Sequence, residues 1–506
     1  MTELEIEKMN TGIRTESKSG PHIKLIVELC AALEQFNVRY CHWKSNANIQ
    51  KSLDGDGDLD LLIHRQDIQI FNHILMSLGF KEAEVSDSRR IPGIRDYYGY
   101  DPDLAELIHV HAHFQLTVGH DATKRIRLNI EDKYLESSTK VDVIKVPAVE
   151  YEYVVFVMRM VLKHLTWDAY FRMESRLNKN EHFELQWLKD HISKVKVNDI
   201  MAADFQMIGL EEFNQCAEIL SKKRIKFNDI QFGQRLENQL NFYSRMNRWI
   251  SHWRKLVYRF SEAFRYRIIK KESKKRLTCG GIFIAVVGGD GSGKTTLIDS
   301  LFPWMNKVFD TMRIHLGKPQ WSLVTILVRG LLKVSRLVGS QPFLEAPLLY
   351  TTDARKIKFP GYPWAIRELC TARDRFLTFR KACRFSTNGG IVISDRFPIP
   401  GINFMDGPQI ERMYGDGEKS RLIRWLIEKE NEYYRRISRP DLMIVLMVDP
   451  EISAQRKKEE TTDDVRARSN EIWTHHWDQL NVHVIDASSS KDEVLRQVKS
   501  LVWSYL

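Results

Sequence analysis

Apolar positions recur along this chain with two different periods. In its second half, short apolar runs at Ile282 to Val287, Ile391 to Ser394, Leu442 to Val448 and Val482 to Asp486 alternate with stretches of helical periodicity. Strands that are apolar throughout and separated by helices predict a parallel sheet with helices on both faces, an α/β fold. In the first half, strand-like and loop segments up to about Ala148 give way to helical patterns at Val149 to His164 and Glu181 to His191. That order predicts an α+β domain with a helical extension. The expected organisation is 1–20 disordered, 21–148 α+β, 149–240 helical, 241–278 a basic linker helix and 279–506 the α/β domain.

The segment joining the halves has its own pattern. Trp249, Trp253, Leu256, Phe260, Phe264 and Ile268 recur every three to four residues, which predicts an amphipathic helix. From Arg245 to Arg276 there are twelve Lys and Arg, against Glu262 and Glu272 alone, which accounts for the whole formal charge of +10. Two readings stand: the apolar stripe packs on a neighbouring domain, or the helix lies on an anionic membrane surface or an acidic partner. Because the charge excess sits in one segment and no aromatic-basic motif accompanies it, no nucleic-acid partner is expected.

Composition narrows the classes further. With 506 residues, 43% hydrophobic and 28% charged, the chain is neither fibrous nor largely disordered. Six scattered cysteines without CxxC spacing point to free thiols in a reducing compartment. No apolar run is long enough to span a bilayer and the first residues are polar, so a cytoplasmic location is expected.

The strongest chemical signal follows the strand Ile282 to Val287. Gly288-Gly289-Asp290-Gly291-Ser292-Gly293-Lys294-Thr295-Thr296 reads G-x-x-x-x-G-K-T and leads into a helical pattern from Leu297, the context that a phosphate-binding loop requires. Its glycines let successive N–H groups turn onto phosphate oxygens, and the helix start adds its positive end. Lys294 is expected to reach the β/γ-phosphates of ATP, and Thr295 to supply a hydroxyl to Mg²⁺.

Asp290 within that loop, Gly390 to Phe397 with its Asp395-Arg396 pair, Arg439-Pro440-Asp441 before the next strand, and Asp449-Pro450-Glu451 with Arg456 follow in a fixed order. On these motifs the region from about Phe283 to Leu506 resembles the thymidylate kinases, a branch of the nucleoside-monophosphate kinases. The resemblance implies that Asp395 orients Mg²⁺ and the acceptor, that Arg396 and Arg373 grip acceptor phosphate, and that Arg456, with Arg466 or Arg468, belongs to a lid closing over ATP. It also implies a nucleotide substrate and a homodimer. Two departures touch the acceptor side: Arg313 to Pro319 stands where the family carries Arg-Glu-Pro, and Phe397 to Pro400 lacks the Ala-Tyr-Gln of thymine recognition.

A second constellation lies near the start: His42-Trp43-Lys44-Ser45-Asn46, then Asp58-Leu59-Asp60. Aspartates at i and i+2 on a strand share a face and can share divalent ions. An EF-hand reading fails, since Leu59 and Arg65 stand where glycine and the bidentate glutamate belong. A polar loop followed by D-x-D on a strand resembles the nucleotidyltransferase superfamily. Here Lys44-Ser45-Asn46 replaces the Gly-Ser loop, and His109, His111 and His113 stand where a third carboxylate is expected, so His111 is the candidate third metal ligand beside Asp58 and Asp60. Imidazole suits Mn²⁺ better than Mg²⁺, so an active site and a silent relic both remain open.

The leading expectation is therefore an ATP- and Mg²⁺-dependent phosphotransferase acting on dTMP or a related phosphorylated acceptor, fused to a nucleotidyltransferase-like domain. The alternatives are a nucleotide-binding regulatory protein without turnover, or a kinase of sugar or lipid phosphates at the membrane surface.

Overall fold

Contacts divide the chain into two compact units, Met1–Glu272 and Ser273–Leu506. The computed structural model describes residues 22–506 apart from 86–88, 223, 265–266, 268–273, 339–358, 360, 400–401, 403–405, 415–418, 457–461 and 478–479. The expectation of disorder for 1–20 falls outside the described residues, as does Ile268 of the amphipathic stripe.

In the first unit β1 (Tyr40–His42), β2 (Leu59–Ile63), β3 (Lys81–Glu84), β4 (Ile94–Asp101) and β5 (Glu106–His113) lie in the order β1-β2-β5-β4-β3. Only β2 and β5 pair in parallel; the other neighbours are antiparallel. Helices α1 (Lys24–Gln35) and α2 (Ile68–Ser77) bring Leu29, Leu33, Phe71 and Leu75 onto Leu59, Leu61, Ile63 and Val110. A second core forms around α3 (Val149–His164), which is buried on nearly every face because the helices that follow pack around it. One of these, α4 (Lys179–His191), starts at a reciprocal cap between Asn178 and Glu181, which satisfies orphan N–H groups at its first turn. Trp43 and Leu62 belong to this same core, so the sheet and the helical extension share an interior.

The basic helix α5 (Arg248–Phe264) lies in the first unit and faces opposite to the packing expectation. Ser251 is buried, Arg259 pairs with Asp168, and Glu262 pairs with Arg89, whereas Trp249, Trp253 and Phe260 are 82%, 68% and 73% exposed. Arg259 and Glu262 turn toward their partners, Arg254 stays exposed, and the aromatics point outward. Periodicity locates an apolar stripe but leaves open which face meets protein.

In the second unit β6 (Ile282–Gly288), β7 (Thr311–His315), β8 (Ile391–Asp395), β9 (Leu442–Met447) and β10 (His483–Asp486) form one wholly parallel sheet, in the order β7-β8-β6-β9-β10. Phe283, Ala285 and Val287 of β6 share a core with Phe379 and Ala382 of the helix α8, which follows α6 (Lys294–Asn306) and α7 (Leu323–Val338) and spans Tyr362–Thr387. Helix α6 contacts β6, β7 and β8 and packs against the C-terminal helix Lys491–Tyr505. Putting the loop strand at the centre sets its carboxyl end in the crevice where open parallel sheets bind ligands. Among the described residues no helix is long and apolar enough to cross a membrane, and all six cysteines are free.

Candidate functional site

Strand β6 ends at Gly288 and α6 begins at Lys294, so the intervening loop turns within a few residues. Gly291 and Gly293 adopt φ of +80° and +90°, the left-handed region open to glycine. A Cβ on Gly291 would fall 2.6 Å from the Ser453 carbonyl oxygen, and one on Gly289 would fall 2.7 Å from Ser469 Oγ. Asp290, Ser292 and Lys294 are buried, and Ser292 Oγ has no hydrogen-bond partner. Lys294 Nζ donates to the carbonyls of Gly288 and Gly289 at 2.9 and 2.7 Å, curling back over its own loop.

The neighbouring strand brings the acidic partner. Register pairs Val286 with Asp395, which ends β8 beside the loop. Arg396 then leaves the strand at φ +67°, its N–H donating to the Val286 carbonyl at 3.1 Å. That left-handed turn, costly for a side-chain-bearing residue, aims the guanidinium at Asp290 Oδ1, 3.3 Å away. His315 ends β7 opposite Asp395. Burial holds its imidazole below the usual range; the Asp395 charge opposes that shift and Arg396 reinforces it.

These groups line one cavity of about 750 Å³, together with Thr295, Thr296, Arg456 and Lys491. Arg456 donates to the Ala487 carbonyl at 3.3 Å on its wall. Of the residues singled out in the sequence, Asp290, Gly291, Ser292, Gly293, Lys294, Thr295, Thr296, Asp395, Arg396 and Arg456 meet there. Arg373 does not: it donates to Ser322 Oγ at 3.1 Å and is no part of the lining. Arg466 is gripped by Glu451 through two contacts of 2.7 and 3.0 Å, and the Arg468 side chain lies outside the described residues.

The first unit assembles a different cluster. Asp60 is buried and Asp58 exposed; their partners alternate along β5. His109 bridges Asp58 at 2.6 Å and Asp96 at 2.8 Å, and His111 Nδ1 lies 2.9 Å from Asp60 Oδ1. Asp60, His111 and His113 bring one ligand atom each within 4.8 Å of one another, a grouping that replaces Asp58 with His113. Burial raises the Asp60 carboxyl, but Lys44, 2.9 Å away, and the histidines outweigh it and hold the group well below the carboxylate range. Burial, His111 and Lys44 together keep His113 neutral.

The Lys44-Ser45-Asn46 loop, standing in place of a Gly-Ser loop, has its amides engaged. Ser45, at φ +60°, donates its N–H to Glu184 Oε1 at 3.1 Å, and the Asn46 N–H reaches Glu152 Oε1 at 3.0 Å. Burial, with the Glu184 charge adding to it, pushes the Glu152 carboxyl up to about 7.

Known proteins match less than half of the chain. No family model matches the chain. The "Uncharacterized ATP-binding protein YghR" of Escherichia coli (strain K12) is 30% identical over 230 residues, covering 43% of this chain and 86% of that protein. The chain belongs to the YghR family. "Uncharacterized ATP-binding protein YghS" of the same strain is 28% identical over 186 residues, 34% of this chain and 72% of that protein. The thymidylate kinase of Mycoplasmoides gallisepticum (strain R(low / passage 15 / clone 2)) is 25% identical over 231 residues, 44% of this chain and 94% of that protein.

Two residues of the second unit escaped the sequence reading. Arg375, buried, donates to the carbonyls of Leu316, Asp406 and Gly317 at 2.6, 2.7 and 3.3 Å, anchoring the turn after β7. Two positions from Arg373, it carries no sequence mark that separates them. His315 stood in the departure from Arg-Glu-Pro, and that departure was its only signal.

Proposed function

We propose that the second unit transfers the γ-phosphoryl group of ATP to a phosphorylated acceptor. The observation that carries this reading is the convergence of Lys294, Thr295, Asp290, Asp395, Arg396 and Arg456 on one cavity at the carboxyl edge of a parallel sheet. The buried, unpartnered Ser292 hydroxyl and the absence of room for side chains at Gly289 and Gly291 fit a loop built to lie against phosphates. The names of the relatives, ATP-binding proteins and a thymidylate kinase, agree with it. Mg²⁺, when bound with the triphosphate, would be held by the Thr295 hydroxyl within reach of Asp290 and Asp395, and would offset phosphate charge.

The chemistry asked of the protein is positioning and charge neutralisation. An acceptor phosphate oxygen attacks the γ-phosphorus, the bond to the β-bridging oxygen breaks, and ADP leaves. Loop amides and Lys294 hold the β- and γ-phosphates, Arg396 meets the acceptor phosphate, and Arg456 answers the charge that develops as transfer proceeds. dTMP is one acceptor of this class; nucleotide, sugar and lipid phosphates are the others. Incubating the full chain with ATP, Mg²⁺ and members of each class, followed by ³¹P NMR, tests the reading. ADP and a diphosphate product are expected with one class. ATP binding without any ADP would favour a regulatory role and overturn the kinase.

The outward aromatic face of α5 favours one elaboration, a phosphorylated acceptor held at an anionic membrane surface. Trp249, Trp253 and Phe260 stand exposed on a helix that carries Arg248, Arg254, Lys255 and Arg259 against one acid, Glu262. For the first unit we propose a nucleotidyltransferase-like sheet that does not hold a triphosphate, because Glu184 and Glu152 occupy the amides of Ser45 and Asn46.

A further inference from the structure

We propose that the first unit binds one Zn²⁺ ion, or a cation of like softness, through Asp60 Oδ1, His111 Nδ1 and His113 Nε2. Four-coordinate zinc, with bonds of about 2.0–2.1 Å to nitrogen and oxygen, sets its ligand atoms roughly 3.4 Å apart. The three atoms here are separated by 2.9 Å (His111 to Asp60), 3.3 Å (His113 to His111) and 3.9 Å (His113 to Asp60), values that bracket that edge. Backbone register sets the arrangement: Asp60 of β2 lies directly opposite His111 of the parallel strand β5, and His113 follows two positions on, on the same face.

The second observation is the state of His113. Its ring is fully buried, Nε2 faces another imidazole nitrogen, and Nδ1 has no hydrogen-bond partner. Two ring nitrogens 3.3 Å apart either share a proton or share a cation. With a cation, the His113 proton rests on Nδ1 and both facing lone pairs are used. Trp43 meets the His113 ring edge-on with centroids 4.9 Å apart, and His109 stacks on His111 at 5.8 Å, so the imidazoles are braced.

The donor set decides the metal class. Two imidazoles and one carboxylate suit zinc and its neighbours, whereas Mg²⁺ takes oxygen ligands. Asp58 is no ligand here, because His109 holds it at 2.6 Å. Lys44 Nζ, 2.9 Å from Asp60 Oδ1, supplies positive charge at the same oxygen and competes with the ion. Three protein ligands leave one position open, as in zinc sites that act on a bound group.

The test uses the full chain, free of histidine tags and stripped with chelator, titrated with Co²⁺ as a visible reporter. A saturable band at one equivalent, displaced by Zn²⁺ and untouched by millimolar Mg²⁺, is expected. His111→Ala should weaken binding at least tenfold, with helical circular dichroism and ATP binding unchanged. Lys44→Ala should tighten it several-fold, a gain that misfolding does not mimic. The proposal is overturned if the wild type gives no saturable band, if His111→Ala binds like the wild type, or if Lys44→Ala binds no tighter.

Discussion

Arg396 places its guanidinium 3.3 Å from Asp290 Oδ1, tying the exit of β8 to the loop that follows β6. The pair sits on the cavity wall, so it holds the loop and the Arg396 guanidinium in one geometry. Arg396→Ala should lower kcat/KM by about 10²–10³ while changing the ATP dissociation constant only slightly. Arg396→Lys should recover little, since an ammonium lacks the planar fork that spans two oxygens. Steady-state kinetics beside calorimetric ATP titration separates the two quantities.

Lys294→Ala should act on the donor side instead. ATP binding should weaken at least ~10-fold and turnover fall below detection, because no other ammonium in the loop replaces the lost charge. Fluorescent-nucleotide titration of the variant is the measurement.

Gly291 and Gly293 share a left-handed backbone, at φ +80° and +90°, but only Gly291 has a wall, the Ser453 carbonyl, in the way of a side chain. Gly293→Ala carries backbone strain alone, and Gly291→Ala adds a clash. Each should destabilise the second unit by roughly 1–3 kcal/mol, with Gly291→Ala the larger, in denaturant melts of the two variants.

Glu152 and Glu430 both titrate near pH 7 in the folded chain, raised in each case chiefly by burial. A carboxyl whose folded pKa lies above its unfolded value binds protons that the unfolded chain has released. Stability therefore falls as pH rises from about 4.5 to 7, and the loss is complete above that. Glu181 works oppositely: although burial raises its carboxyl, bonds from His164, Lys163 and Asn178 prevail and hold it at about 2, so its contribution persists throughout pH 5–8. Glu152→Gln should flatten the pH dependence of the melting temperature and stabilise the first unit at pH 8 by roughly 1–3 kcal/mol. A variant as pH-sensitive as the wild type would remove Glu152 as the cause.

Membrane docking by α5 is best probed on its aromatic face. Removing Arg259 would also break its pair with Asp168 and disturb the fold. Trp253→Ser with Phe260→Ser should reduce sedimentation with anionic vesicles while leaving the melting temperature nearly unchanged, since both rings are exposed.

The phosphate loop was legible because its chemistry is contiguous: one strand, one glycine-rich turn and one lysine carry it. Asp395, Arg396 and Arg456 were reachable through ordered motifs, and the structure brings them to the same cavity. What stayed hidden depends on distant partners. Ser45 meets Glu184 across 139 positions and Asn46 meets Glu152 across 106, so nothing near the Lys44-Ser45-Asn46 loop discloses that its amides are engaged. The resemblance pointed to Arg373 and was silent on Arg375, whose burial and bonds to the Leu316 and Gly317 carbonyls only the fold discloses. The orientation of α5 is set by Asp168 and Arg89, which lie far from it along the chain.

Because Lys294 rests on the carbonyls of Gly288 and Gly289, nucleotide arrival in the proposed reaction would be an exchange of partners. Two bonds to neutral oxygens are surrendered, and only a ligand offering anionic oxygens in their place comes out ahead. A nucleoside, or any compound whose charge stops short of that amine, gains nothing from the trade. If the second unit works as proposed, the resting posture of this one side chain favours polyphosphates over uncharged bases and sugars.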